Sequence, residues 1–167
     1  VNLQNSILNG EVVTREPAYY AGGTAAAHSG QDWGNTYAEV DMSAQHMWYV
    51  QNGQVVLETD VVTGEPIPSK ITPEGVYSLM WKQPNSVLVG DINPDTGEPA
   101  YRTKVKYWMQ VTSSGVGFHD ATWQTAFGGT LYQIPGTGSH GCINMPLDQA
   151  GALFNMIEPG TPVIFHW

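Results

Sequence analysis

Apolar positions in this chain fall in short β-branched and aromatic runs, each broken by turn residues. Tyr37, Val40 and Met42 lead into His46-Met47-Trp48-Tyr49-Val50, and after Asn52-Gly53 a second run extends from Val55 to Val62. Two such runs around Asn-Gly predict a β-hairpin, because both turn positions need positive φ and Asn-Gly supplies it at low cost. Val76 to Trp81, Lys104 to Val111, Gly115 to His119 and Pro162 to Phe165 predict further strands. Between them, residues 83–100 carry Pro84, Asn93-Pro94-Asp95, Gly97 and Pro99 and read as a long loop or lid. One segment has helical spacing. Pro146 suits a first helical position, Ala150, Leu153, Phe154 and Ile157 share a face, and Gly160 lies just past the end. Residues 1–34, rich in Gly, Ala, Ser and Asn, read as a connector with one short strand near Val12-Val13. The expected fold is mainly β with one or two helices, in a β-sandwich-like arrangement spanning residues 35–167.

Composition narrows this picture. A chain of 167 residues with 41% hydrophobic and 11% aromatic content supports one packed domain. No apolar run approaches the ~20 residues of a membrane span, so no membrane contact is expected of the domain itself. The opening Val1-Asn2-Leu3 lacks an initiator Met, and the chain is expected to be a piece of something longer. Six basic against fifteen acidic residues give a net charge of −9. That balance disfavours nucleic acid, whose phosphates need a basic footprint.

Candidate chemistry centres on Ser139-His140-Gly141-Cys142-Ile143-Asn144, which holds the sole cysteine. A lone thiol cannot close an internal disulfide and is commonly an inert, buried hydrophobe. Here Gly136, Gly138 and Gly141 surround it, polar groups flank it, and His119 lies upstream. A thiol beside an imidazole is the minimum for thiolate catalysis, since the imidazole can take the proton and later return it. Cys142 is therefore read as nucleophile and His119 as its base, with the Asp120 carbonyl placed to orient the imidazole. No lysine or arginine follows Lys106, so an oxyanion at Cys142 calls for backbone N–H groups unless a basic residue folds in from earlier in the chain. A helix starting soon after Cys142 would add its N-terminal dipole to a thiolate. Trp108 and Trp123 flank the base in sequence and are candidate cleft linings. His46 reads as a packed strand residue, and His28 and His166 carry no site. His119, His140 and Cys142 are legitimate zinc ligands, but the usual paired spacing is missing, so no metal or cofactor is expected.

Ser139-His140-Gly141-Cys142-Ile143-Asn144, preceded by Gly117-Phe118-His119-Asp120, resembles the signature of the L,D-transpeptidase catalytic domain of the YkuD type. The similarity extends through Gln45-His46-Met47-Trp48, Val61-Val62-Thr63-Gly64, Thr72-Pro73-Glu74-Gly75-Val76 and Tyr107-Trp108-Met109, covering about Asn35 to Trp167. The Thr137-Gly138 approach to Ser139 departs from the commonest pattern and alters loop detail. The resemblance implies a cysteine enzyme acting on peptidoglycan stem peptides, with carbapenem β-lactams as inhibitors and an extracytoplasmic location. It implies that Cys142 attacks the third-residue carbonyl, that His140 and Ser139 shape the loop, and that Gly141 and Cys142 N–H groups form the oxyanion hole. Asn144 would pin the loop, and Tyr107, Trp108 and Trp123 would contact substrate. A papain-like wall peptidase places its cysteine before its histidine, opposite to the order here. A sortase needs a downstream arginine that this chain lacks. A non-catalytic wall-binding module is the remaining alternative.

Overall fold

Asn52 and Gly53 adopt φ of 52° and 78° and close the expected hairpin. In the computed structural model, which describes residues 33–167, this turn joins strand β2 (His46–Gln51) to β3 (Gln54–Asp60). Strand β1 (Tyr37–Asp41) lies antiparallel to β2 and parallel to the C-terminal strand β9 (Pro162–His166), which also pairs with β4 (Gly75–Ser78). The order of this five-stranded sheet is β3-β2-β1-β9-β4. The expected strand near Val12-Val13 and His28 lie outside the described residues.

The segment read as one strand from Val76 to Trp81 is two. At Leu79-Met80 the chain leaves the first sheet, with Leu79 N–H donating to Thr161 O and Met80 N–H to Gln110 O. It then enters β5 (Trp81–Val89), which pairs with β6 (Arg102–Gln110). Residues 83–89 of the expected loop at 83–100 are thus strand. Pro84 is tolerated because β5 is an edge of its sheet, where a missing N–H costs no ladder bond. Strand β7 (Gly117–Asp120) follows antiparallel to β6, and β8 (Ile143–Met145) adds in parallel to complete the order β5-β6-β7-β8.

The inward faces of both sheets share one core. Val40, Met47, Tyr49 and Phe165 from the first sheet meet Met109, Phe118, Ile143 and Met145 from the second, all essentially without exposure. The single described α-helix, α1 (Leu147–Met156), adds Ala150 and Leu153 to that core. Pro146 is the residue before the helix rather than its first, and its carbonyl accepts the Ala150 N–H. At the other end no basic residue occupies the last turn. Lys82 reaches across from β5 instead, and its Nζ donates to Phe154 O at 2.9 Å and Ile157 O at 2.7 Å. A cation thus satisfies carbonyls that the helix itself leaves unpaired.

Candidate active site

Strand alternation decides which side chains meet. In the parallel pair β7–β8, Phe118 lies opposite Ile143 and His119 opposite Asn144. Phe118 and Ile143 point into the core and are fully buried. His119 and Asn144 therefore point to the other face, and Cys142, one residue before Ile143, shares it. That face borders a cavity of about 490 Å³ lined by His119, Cys142, Asn144 and His140. Further walls are Ser139, Trp123, Gln124 and Tyr101. Among the described residues, no Lys, Arg, Asp or Glu lines it.

His119 is held from three sides. Its ring lies 6.0 Å from that of Trp108 and 5.8 Å from that of Trp123, centroid to centroid. Nδ1 is 3.0 Å from the Asp120 carbonyl oxygen. A carbonyl only accepts, so Nδ1 carries the proton and Nε2 is left with its lone pair, the tautomer a general base needs. The Asp120 carboxylate does something the sequence did not disclose. Its Oδ1 accepts the N–H groups of Lys106 and Tyr107 at 2.8 Å each, tying β6 to β7 beyond their last ladder pair.

The cysteine loop is built on Ser139. Its Oγ accepts the Gly141 N–H at 2.9 Å and donates to the Cys142 carbonyl. Gly141 has φ of 120°, a conformation L side chains rarely adopt, and a Cβ there would stand 3.3 Å from Val116 Cγ2. Two expectations change here. Ser139 Oγ takes up the Gly141 N–H, so one of the two N–H groups expected to serve an oxyanion already has an acceptor in the loop. The helix does not begin beside Cys142 either, because β8 intervenes and separates them by roughly 10 Å of extended chain.

Burial pushes the His119 pKa below its ordinary value, and the Asp120 carbonyl offsets this only in part. Cys142 keeps some exposure, yet the walls around its sulfur push the thiol up to about 11, opposed by a hydrogen bond from the Gly117 backbone. Its Sγ–H donates to Gly115 O at 3.6 Å. Both shifts favour the neutral forms, thiol and imidazole, over a thiolate–imidazolium pair. We expect the iodoacetamide alkylation rate of Cys142 to climb tenfold per pH unit past pH 9, without a break near the ordinary thiol value of about 8.5. A plateau reached below pH 8 would show a preformed thiolate instead.

The other residues singled out divide cleanly. His140 lines the cavity and packs its ring 5.0 Å from that of Tyr101, which precedes β6 at the loop end of the β5–β6 hairpin. Asn144 is pinned through Nδ2 to Gln124 Oε1 at 2.7 Å, and Gln124 Nε2 donates to Thr137 O at 3.1 Å. Trp108 is buried behind His119 and supports it without lining the cavity. Tyr107 is on the opposite face of β6, where it packs against Phe154 of α1 at 5.3 Å and beneath Gly151. Neither is placed to touch a ligand in the cavity. His46 pairs with Asp60 at 2.6 Å on the first sheet, and His166 with Glu39 at 3.0 Å. Tyr101, Gln124 and Thr137 line the site without having been anticipated. Only Tyr101 had a signal, as the last aromatic before β6 at the end of the expected lid.

Fold and site define a two-sheet β protein with a cysteine and a histidine on the wall of one cavity. The model of the YkuD family, the L,D-transpeptidase catalytic domain, matches residues 35–165, and the chain belongs to that family. L,D-transpeptidase 1 of Mycobacterium tuberculosis is 30% identical over 126 residues, which are 73% of this chain and 47% of that protein. A structure of an Enterococcus faecium L,D-transpeptidase cysteine-to-serine mutant is 43% identical with a TM-score of 0.72, covering 98% of this chain and 61% of that one. The E. faecium catalytic domain acylated by ertapenem is 46% identical with a TM-score of 0.66, covering 79% of this chain and 97% of that one. The chain spans under half the length of the curated mycobacterial relatives it matches, 35% and 47%.

Proposed function

We propose that this domain is a peptidoglycan L,D-transpeptidase that works outside the cytoplasm, at the cell wall or the outer face of the bacterial membrane. The observation that carries the reading is the placement of Cys142 and a correctly tautomerised His119 on one face of the β7–β8 pair, in one cavity. In the first half-reaction the Cys142 sulfur attacks the carbonyl of the third residue of a tetrapeptide stem while its proton passes to His119 Nε2. Burial favours the neutral form of both groups, so proton removal accompanies attack instead of preceding it. The Cys142 N–H supports the oxyanion. The bond to the terminal D-alanine then breaks, its nitrogen takes the proton from His119, and a thioester remains. In the second half-reaction a side-chain amine of another stem attacks that thioester, gives its proton to His119, and returns the thiol as the cross-link forms. His140, Ser139 and Asn144 shape the walls against which the donor stem lies, and Trp123 adds apolar surface at the mouth, being half-exposed.

A thiol built to attack a carbonyl beside a D-residue should also open a strained β-lactam. The E. faecium domain acylated by ertapenem supports this for a relative. Mixed with a carbapenem, this chain is expected to gain the mass of one intact drug molecule, mapped by peptide digestion to Cys142. No adduct, or one on Ser139, would contradict the assignment.

A further inference from the structure

Thr72, in the Thr72-Pro73-Glu74-Gly75 motif, has no place in the chemistry above, yet it is 2% exposed and touches the cysteine loop. Its Oγ1 accepts the Gly64 N–H at 2.9 Å and donates to the Gly141 carbonyl at 2.8 Å. Both roles of the hydroxyl are thereby used, so its proton has one place to go. The acceptor it holds belongs to the peptide that joins Gly141 to Cys142. In a trans peptide the C=O and N–H point in opposite directions, and no cis peptide occurs among the described residues. Fixing the Gly141 carbonyl toward Thr72 therefore fixes the Cys142 N–H away from it. This matters because the neighbouring donor, the Gly141 N–H, is held by Ser139 Oγ at 2.9 Å.

We infer that Thr72 is a positioning residue for acyl transfer: its hydroxyl sets the plane of the Gly141–Cys142 peptide and so aims the Cys142 N–H at the oxyanion. The inference rests on the transpeptidase reading of the site. The surroundings of Thr72 are built to hold this contact at close range. A Cβ on Gly64 would come within 1.9 Å of Lys70 O, 2.8 Å of Thr72 N and 3.0 Å of Gly141 Cα, so three backbone segments converge where only glycine fits. The brace continues on both sides. Gly64 bridges in parallel to Ser139 and Val62 in antiparallel to Asn144. Glu65 Oε1 accepts from Lys70 Nζ at 2.9 Å and from Gly136 N–H at 3.0 Å. With the loop anchored at both ends by these contacts, the bond Thr72 donates sets the rotation of a single peptide plane, while the bond it accepts satisfies the Gly64 N–H.

The test compares Thr72→Val, which keeps the shape and removes the hydroxyl, with Thr72→Ser, which keeps the hydroxyl. Three readouts are needed on each: steady-state transpeptidation of a tetrapeptide, carbapenem acylation rate, and iodoacetamide alkylation of Cys142 at pH 10. Losing one oxyanion donor costs on the order of 10²–10³ in kcat, and misaiming it should cost roughly 10–100-fold. Thr72→Val is expected to lose that much in kcat and in acylation, with KM nearly unchanged. Alkylation passes through no oxyanion and should stay at the wild-type rate. Thr72→Ser should restore kcat to within about threefold of wild type. Wild-type kcat in a folded Thr72→Val overturns the inference. So does a loss that alkylation shares and Thr72→Ser fails to restore, which marks a purely structural residue. A wild-type chain inert toward both tetrapeptide and carbapenem refutes the transpeptidase reading itself, and this inference with it.

Discussion

Cys142→Ala is expected to lose transpeptidation by at least about 10³-fold, to the background of the assay, and to form no carbapenem adduct. No other thiol exists in the chain to replace it. The fold should survive the change. Cys142 is partly exposed and lies outside every strand and helix, and the hydrogen bonds that shape its loop run through backbone atoms, Ser139 Oγ and Thr72 Oγ1, the thiol adding only a 3.6 Å contact to Gly115 O. Losing one sulfur there should cost no more than about 1 kcal/mol. Circular dichroism and a melting curve beside the activity assay separate the two effects. Activity retained by a well-folded variant would remove Cys142 from the mechanism.

His119→Gln should cost about 10²–10⁴-fold in kcat, the ordinary range for loss of a general acid–base. Glutamine is the informative replacement, because it refills part of the space between Trp108 and Trp123 and can still donate to the Asp120 carbonyl. The pH profile adds a second check. Burial lowers the His119 pKa, so the imidazole becomes a competent base at a lower pH than free histidine, and the acid limb of kcat/KM should fall below pH 6.5. The sign for stability follows the same shift. A histidine whose folded pKa is depressed contributes stability above its unfolded pKa and loses it as pH falls through the folded value. Since Cys142 ionises unaided in alkali, its alkylation at pH 10 should match wild type in His119→Gln. An acid limb at or above pH 6.5, or unchanged kcat in the variant, would assign the proton to another group, and His140 would be the next to test.

These predictions draw on features that were unevenly visible in the chain. Local signals carried well: Asn52-Gly53 placed its hairpin, and the apolar face of Ala150, Leu153 and Ile157 placed the helix, which starts one residue after Pro146 and ends at Met156, short of the turn before Gly160. Residue type and order were enough to pair Cys142 with His119, because few other groups could serve a thiol. Strand β8 was not legible, since Ile143–Met145 is too short to show a period and is stabilised by pairing with β7 and bridging to Val62. Strand β5 was hidden by Pro84 and by polar residues that an edge strand can accept. Trp108 and Tyr107 are adjacent in sequence and were grouped together, but alternation along β6 sends one to the imidazole and the other to the helix. The polar braces escaped for a different reason. Gln45 donates to Met42 O and Thr63 Oγ1, and Thr72 reaches Gly141 across 69 residues of sequence. Contacts of that kind depend on tertiary approach, and no spacing rule announces them. The rise in the thiol's pKa was invisible on similar grounds, because the burial that causes it comes from segments distant in sequence.

The most direct test of the account is intact-mass analysis of the chain incubated with a defined tetrapeptide stem, quenched at short times. The account predicts release of D-alanine, a tripeptide thioester on Cys142, and conversion of that thioester to a cross-linked dimer when a second stem is added. Cleavage of the stem at a different bond, or a chain that stays unmodified while D-alanine is never released, would contradict it.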